Sequence, residues 1–164
     1  FVIWLPSILK MGKIGMVEIG WLAAVPYLVC IAAEYGVSAW SDRIGRRKIA
    51  IWPPLLIGAL AFYASYLLSP AHFWAGFALL VVAAAGMYAP YGPFFAYIAD
   101  SLPANVAGGA IALINSMGAL GSFAGAYAVG HLNAATGNAG MSFLVMAGAL
   151  AVSSAITVFL PERR

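Results

Sequence analysis

Five charged residues, Asp42, Arg43, Arg46, Arg47 and Lys48, crowd into the stretch "SAWSDRIGRRK" at 38–48. The whole chain holds only eight Lys or Arg and five Asp or Glu among 164 residues. Asp42, at a helix end, can pair with a neighbouring arginine and also meet a partner helix. Gly45 lets the loop turn tightly, while Arg46 and Arg47 face water, headgroups and helix ends. The plainer reading of the same residues is a basic topology anchor with no moving part.

Glu34 is the second group with chemistry to offer. It precedes Asp42 by eight positions, about 12 Å along a helix, which places it in apolar surroundings. A carboxylate there costs on the order of 2.5 kcal/mol or more unless it pairs, protonates or meets water. It reads either as a gate partner or protonatable site, or as a salt-bridge partner for a basic residue such as those of the 42–48 loop.

Asn115 and Ser116 lie in the middle of a run of Gly, Ala, Leu and Ile. A mid-membrane amide must find a partner helix or a wet cavity. As interhelical glue Asn115 is worth about 0.6 to 2 kcal/mol; as a ligand contact, its amide can donate to a carboxylate and exchange hydrogen bonds with hydroxyls. Gly118, Gly121 and Gly125 follow on the same stretch and permit close helix approach. "GMYAPYGPFF" at 86–95 places two prolines within an apolar run. Each proline removes a backbone hydrogen bond and bends a helix, a break that points to binding sites in membrane carriers. Tyr88, Tyr91 and Phe94 ring that bend, as a platform for an amphipathic ring or as a packed cluster. Tyr27 after Pro26 and Trp4 before Pro6 are candidates of the same kind.

Other chemistries find little support. Metalloprotease, phosphate-loop and nucleophile-elbow motifs do not occur. One cysteine, Cys30, and two distant histidines, His72 and His131, call for no metal and no cofactor. Asp100 reads as a capping or loop charge rather than a catalyst, and enzymatic activity is not expected.

The elements that must position these groups are apolar. Hydrophobic residues make up 64% of the chain and charged residues 8%, with a mean hydropathy of +0.96. A soluble core cannot absorb that composition at this length, but a bilayer can. A stump at 1–9 and spans at about 20–40, 49–68, 73–99, 107–131 and 141–160 predict an all-α polytopic helical bundle. An even number of spans separates the 42–48 loop from the tail bearing Arg163 and Arg164, so six of the eight bases share one side. The positive-inside rule makes that side cytoplasmic, with Lys10 and Lys13 as exceptions.

With these residues in place, a resemblance can be stated. "SAWSDRIGRRK" resembles the cytoplasmic loop signature of the major facilitator superfamily, G-x-x-x-D-R-x-G-R-R/K, with Ser38 where the leading glycine stands. In that family such a cluster, here Asp42, Arg43, Gly45, Arg46 and Arg47, latches helices in one conformation and releases them in the other. "APYGPFFAYIADSLPANVAGGAIALINSMGALGSFAGAYAVGHLNAATG" at 89–137 resembles the anion:cation symporter family, closest to sugar-acid permeases of the 2-ketogluconate type. The resemblance implies the C-terminal six-helix half of a carrier with its first helix cut short. It also implies proton-coupled uptake of an organic anion by alternating access, in the bacterial inner membrane, with the N-terminal half as partner. Nucleic acid has no place in it. Asn115, Tyr91 and Phe94 are the foremost substrate contacts on this reading, and the countercharge for a carboxylate belongs mostly to the other half. The rival reading is a small non-transporting scaffold or assembly subunit.

Overall fold

The computed structural model describes Leu5, Leu9 and residues 15–68, 72–137 and 140–161. Among the described residues six α-helices follow one another: α1 (Met16–Ile44), α2 (Trp52–Leu68), α3 (Phe73–Tyr88), α4 (Tyr91–Ser101), α5 (Ala104–Thr136) and α6 (Met141–Phe159). A 3-10 turn, Lys48–Ala50, joins the basic loop to α2. Counting α3 and α4 as one broken span, five segments are long and apolar enough to cross a bilayer. The chain is an all-α, multi-pass bundle.

Sequence chemistry explains where these helices start and stop. Gly45 ends α1 in the left-handed region, φ 63°, and its N–H donates to the Ser41 carbonyl at 3.0 Å. An L side chain there is strained, so glycine is what turns the chain into the basic loop. Pro90 and Pro93 have no N–H to give, so the span expected at 73–99 parts between α3 and α4. Pro103 starts α5, which runs beyond the span expected at 107–131. Near its far end Thr136 returns its hydroxyl to the Leu132 carbonyl at 2.7 Å, and Gly137, φ 63°, closes the helix.

α2 is the central post, packed most extensively against α3 and α6. Phe62, Leu80, Ala83, Phe143 and Leu150 are buried together there, joined by Leu5 and Leu9. Lipid is as apolar as leucine, so small residues and hydrogen bonds must hold such helices together. Gly58 and Gly86 bring α2 and α3 nearly backbone to backbone: a Cβ on Gly86 would meet the Gly58 N at 2.7 Å and its Cα at 2.8 Å. Ser65 Oγ donates to the Gly76 carbonyl at 2.8 Å, and Ser154 Oγ donates to the Trp52 carbonyl at 2.9 Å. α1 packs on α3 and α4, whereas α5 touches mainly α4 and α6 and buries only Val129.

Candidate functional site

The break at Ala89–Pro90 starts a new helix beside a cleft of about 550 Å³ with long walls from α2, α4, α5 and α6 and with Met87 of α3 at its edge. That volume lies within the range of about 300–1,000 Å³ typical of small-molecule sites. Tyr91, Phe94 and Asn115 all line it, so the proline break and the mid-helix amide meet in one place. Ser122, Ser153 and Thr157 add hydroxyls to the lining, although Thr157 donates to the Ser153 carbonyl of its own helix at 2.8 Å. Among the described residues the lining holds no charged side chain.

Aromatic contacts set the floor. Tyr88 stacks on Tyr91 with ring centres 5.9 Å apart, Tyr91 meets Phe95 at 6.1 Å, and Phe94 meets Phe95 edge-on at 5.4 Å. Tyr88 therefore supports the cleft from behind without lining it. Ser116 does not line it either: its hydroxyl donates to the Ala112 carbonyl at 2.9 Å. Tyr27 lies on α1 against the buried core. Glu34 is half-buried one turn beyond Cys30, and no ion pair joins it to the 42–48 loop among the described residues. Trp4 falls outside the described residues.

At the other focus of interest, the basic loop is organised around Arg47. Its guanidinium binds Asp42 on α1 and, through Nε at 3.2 Å, Asp100 on α4. Nη1 also reaches Ser41 Oγ at 3.4 Å. Arg47 thus meets the ends of α1 and α4 on an exposed face, the helix-end contact expected of it. The hydrogen-bonded Asp42 carboxylate, then Asp100, push its pKa above the ordinary arginine value, while burial pulls the other way. Arg43, Gly45 and Arg46 stay exposed around this hub. Lys48, next in the chain, donates to the Leu160 carbonyl at 2.8 Å, and Tyr97 Oη donates to the Pro161 carbonyl at 2.8 Å. Asp100, Lys48 and Tyr97 were not expected to act here. The legible signal was weak: Asp100 is a lone carboxylate at a span end on the side where the bases gather. The hydroxyls of Ser122, Ser153 and Thr157 gave no signal, since serine and threonine occur throughout such helices.

The broken span, the neutral cleft and the arginine-centred loop together define a carrier-type membrane bundle. Residues 1–164 match the Major Facilitator Superfamily, and the chain belongs to that superfamily. It is 31% identical over 160 residues to an Agrobacterium vitis protein named for tartrate transport, covering 96% of this chain and 35% of the relative. An Acinetobacter baumannii quinolone resistance transporter is 33% identical over 146 residues, covering 87% of this chain and 33% of that protein. A Pseudomonas putida protein named for metabolite transport is 28% identical over 161 residues, with 98% and 37% covered. The chain spans roughly a third of the length of these relatives.

Proposed function

We propose that this chain forms one half of a secondary transporter, the C-terminal half, that takes up a small organic anion such as a sugar acid together with protons. The observation that carries the reading is the meeting of Asn115, Tyr91 and Phe94 on one neutral cleft. An amide, a phenol and hydroxyls suit the polyol part of a hydroxy acid, and aromatic faces suit its C–H faces. The carboxylate then needs a cation from the partner half, because no Lys or Arg lines the cleft. The relative named for tartrate transport favours a hydroxy-acid substrate. In this reading the basic loop faces the cytoplasm, the protein sits in the bacterial inner membrane, and alternating access exposes the cleft to each side in turn. Glu34 is then a proton site or gate contact.

A second reading takes its support from the same cleft. An uncharged, aromatic-rich lining also suits an amphipathic aromatic solute moved outward, and one relative is named for quinolone resistance. Uptake of radiolabelled hexonates by the full-length protein in energised vesicles tests both. Saturable uptake driven by an inward proton gradient, lowered by Asn115→Ala at unchanged membrane abundance, supports the first reading. Absence of hexonate uptake with saturable export of a cationic or zwitterionic aromatic replaces it with the second.

A further inference from the structure

Three of the four walls of the cleft are tied together just beyond its end, and the ties form a closed circuit. Tyr97 and Asp100 are three positions apart, on one face of α4. Tyr97 holds the Pro161 carbonyl, Lys48 holds the Leu160 carbonyl, and Arg47 returns to Asp100. The circuit therefore runs from α4 to the end of α6, to the turn before α2, and back to α4. It sits directly on the cleft. Leu160 lines the cleft while its carbonyl accepts from Lys48, and Ile51 lines it while its N–H donates to the Lys48 carbonyl at 3.1 Å. Phe94 and Phe95 line it within one turn of Tyr97.

The chemistry of the acceptors explains why donors gather here. The last carbonyls of a helix have no intrahelical partner, and the negative end of the helix dipole favours a cation. Leu160 leaves α6 with extended backbone, ψ 144°, ahead of Pro161. Two carbonyls are thus presented sideways toward α4 and the basic turn.

α5, the fourth wall, takes no part in the circuit. At Gly108, Gly109, Gly118, Gly121 and Gly125 a Cβ would meet nothing within 4 Å among the described residues, so the close helix approach these glycines permit is not made there. The circuit holds α2, α4 and α6 as one frame at the basic end.

We infer that Lys48 and Tyr97 are positioning residues that close the basic end of the cleft, and that release of the Leu160 and Pro161 carbonyls opens it to that side. The inference rests on the transport reading above. This closure is separate from the Arg47–Asp42 pair, which ties the loop to α1 and does not border the cleft.

The test uses the full-length transporter with Cys30 and every cysteine outside this chain replaced by Ala, and with Thr157→Cys as reporter inside the cleft. A membrane-impermeant maleimide is applied to inside-out and to right-side-out vesicles, without substrate. Tyr97→Phe and Lys48→Met should each raise labelling from the basic-loop side by roughly threefold to tenfold, the equivalent of one hydrogen bond lost. Lys48→Arg should return labelling toward the parent rate, and labelling from the opposite side should not rise. Equal gains from both sides would mean general loosening and overturn the inference, as would unchanged labelling from the basic-loop side. If Lys48→Met does not accumulate in the membrane, Tyr97→Phe, which removes one oxygen, decides the matter by the same criteria. Labelling needs no substrate, so failure of hexonate uptake would count against the transported solute and leave this result standing.

Discussion

Ser38 on α1 and Gly92 on α4 meet so closely that a Cβ on Gly92 would collide with the Ser38 hydroxyl and lie 3.2 Å from its Cβ. The loop signature places a glycine where Ser38 stands, and the small residue needed for the crossing is found instead on the partner helix. Gly92→Ala should therefore destabilise the bundle by about 1 kcal/mol, at the low end of overpacking, because the Ser38 side chain can rotate away. Adding Ser38→Gly should recover most of that loss. A double-mutant cycle on thermal stability in detergent measures the coupling, and purely additive effects would show the two residues to be independent.

Gly86→Ala is expected to be harsher. Its added Cβ would meet the backbone of Gly58 at 2.7 and 2.8 Å, and backbone cannot rotate out of the way. Separation of α2 and α3 would disturb the core around Phe62 and Leu80 and shift the break that carries Tyr91. A loss of about 2–3 kcal/mol is expected, read as a lower melting temperature. A variant as stable as the parent would place the α2–α3 crossing elsewhere.

Arg47 serves two carboxylates that are themselves well exposed, Asp42 at 67% and Asp100 at 64% of the side chain, against 25% for Arg47. Exposed pairs are weak and screened by salt, each worth about 0–1 kcal/mol. Asp100→Asn should lower stability by less than about 1 kcal/mol. Arg47→Met should cost more, since it leaves both Asp42 and Asp100 without their common cation. The difference between Arg47→Met and parent should shrink when melting is repeated at about 1 M salt. An Arg47→Met penalty unaffected by salt would point to packing of the arginine stem instead.

Tyr91→Phe and Asn115→Ala separate ligand contact from helix glue. Both residues line the cleft, and among the described residues neither side chain makes a hydrogen bond to protein. On the proposed uptake reading, each substitution in the full-length protein should raise KM for a hexonate about threefold to tenfold while leaving melting within about 0.5 kcal/mol of parent. A fall in stability with KM unchanged would return Asn115 to an interhelical role.

Much of the architecture was legible before any coordinates. Long apolar runs separated by Pro, Gly and charge read directly as spans, because period and length suffice when the solvent is lipid. The kink also announced itself, since Pro90 and Pro93 lack the N–H a helix requires. Boundaries were less legible: α5 continues through Asn133 to Thr136 because Thr136 can bond back to its own helix, and polar residues there look like loop. Partnerships across helices were least legible. Asp100 lies 53 positions from Arg47, and Tyr97 lies 64 from Pro161.

Sequence alone determined that this chain is a multi-pass helical bundle, where its charge gathers, and which helix breaks at a proline. Those are local properties, set by composition, periodicity and the covalent chemistry of single residues. Tertiary structure decided that Asn115 shares a cleft with Tyr91 and Phe94, that Arg47 joins two carboxylates from different helices, and that Lys48 and Tyr97 hold the end of α6. Such pairings depend on the rotation of each helix about its axis. In lipid that rotation is set by small-residue crossings such as Gly58–Gly86 and Ser38–Gly92, and a nearly uniform apolar surface carries little sign of it along the chain.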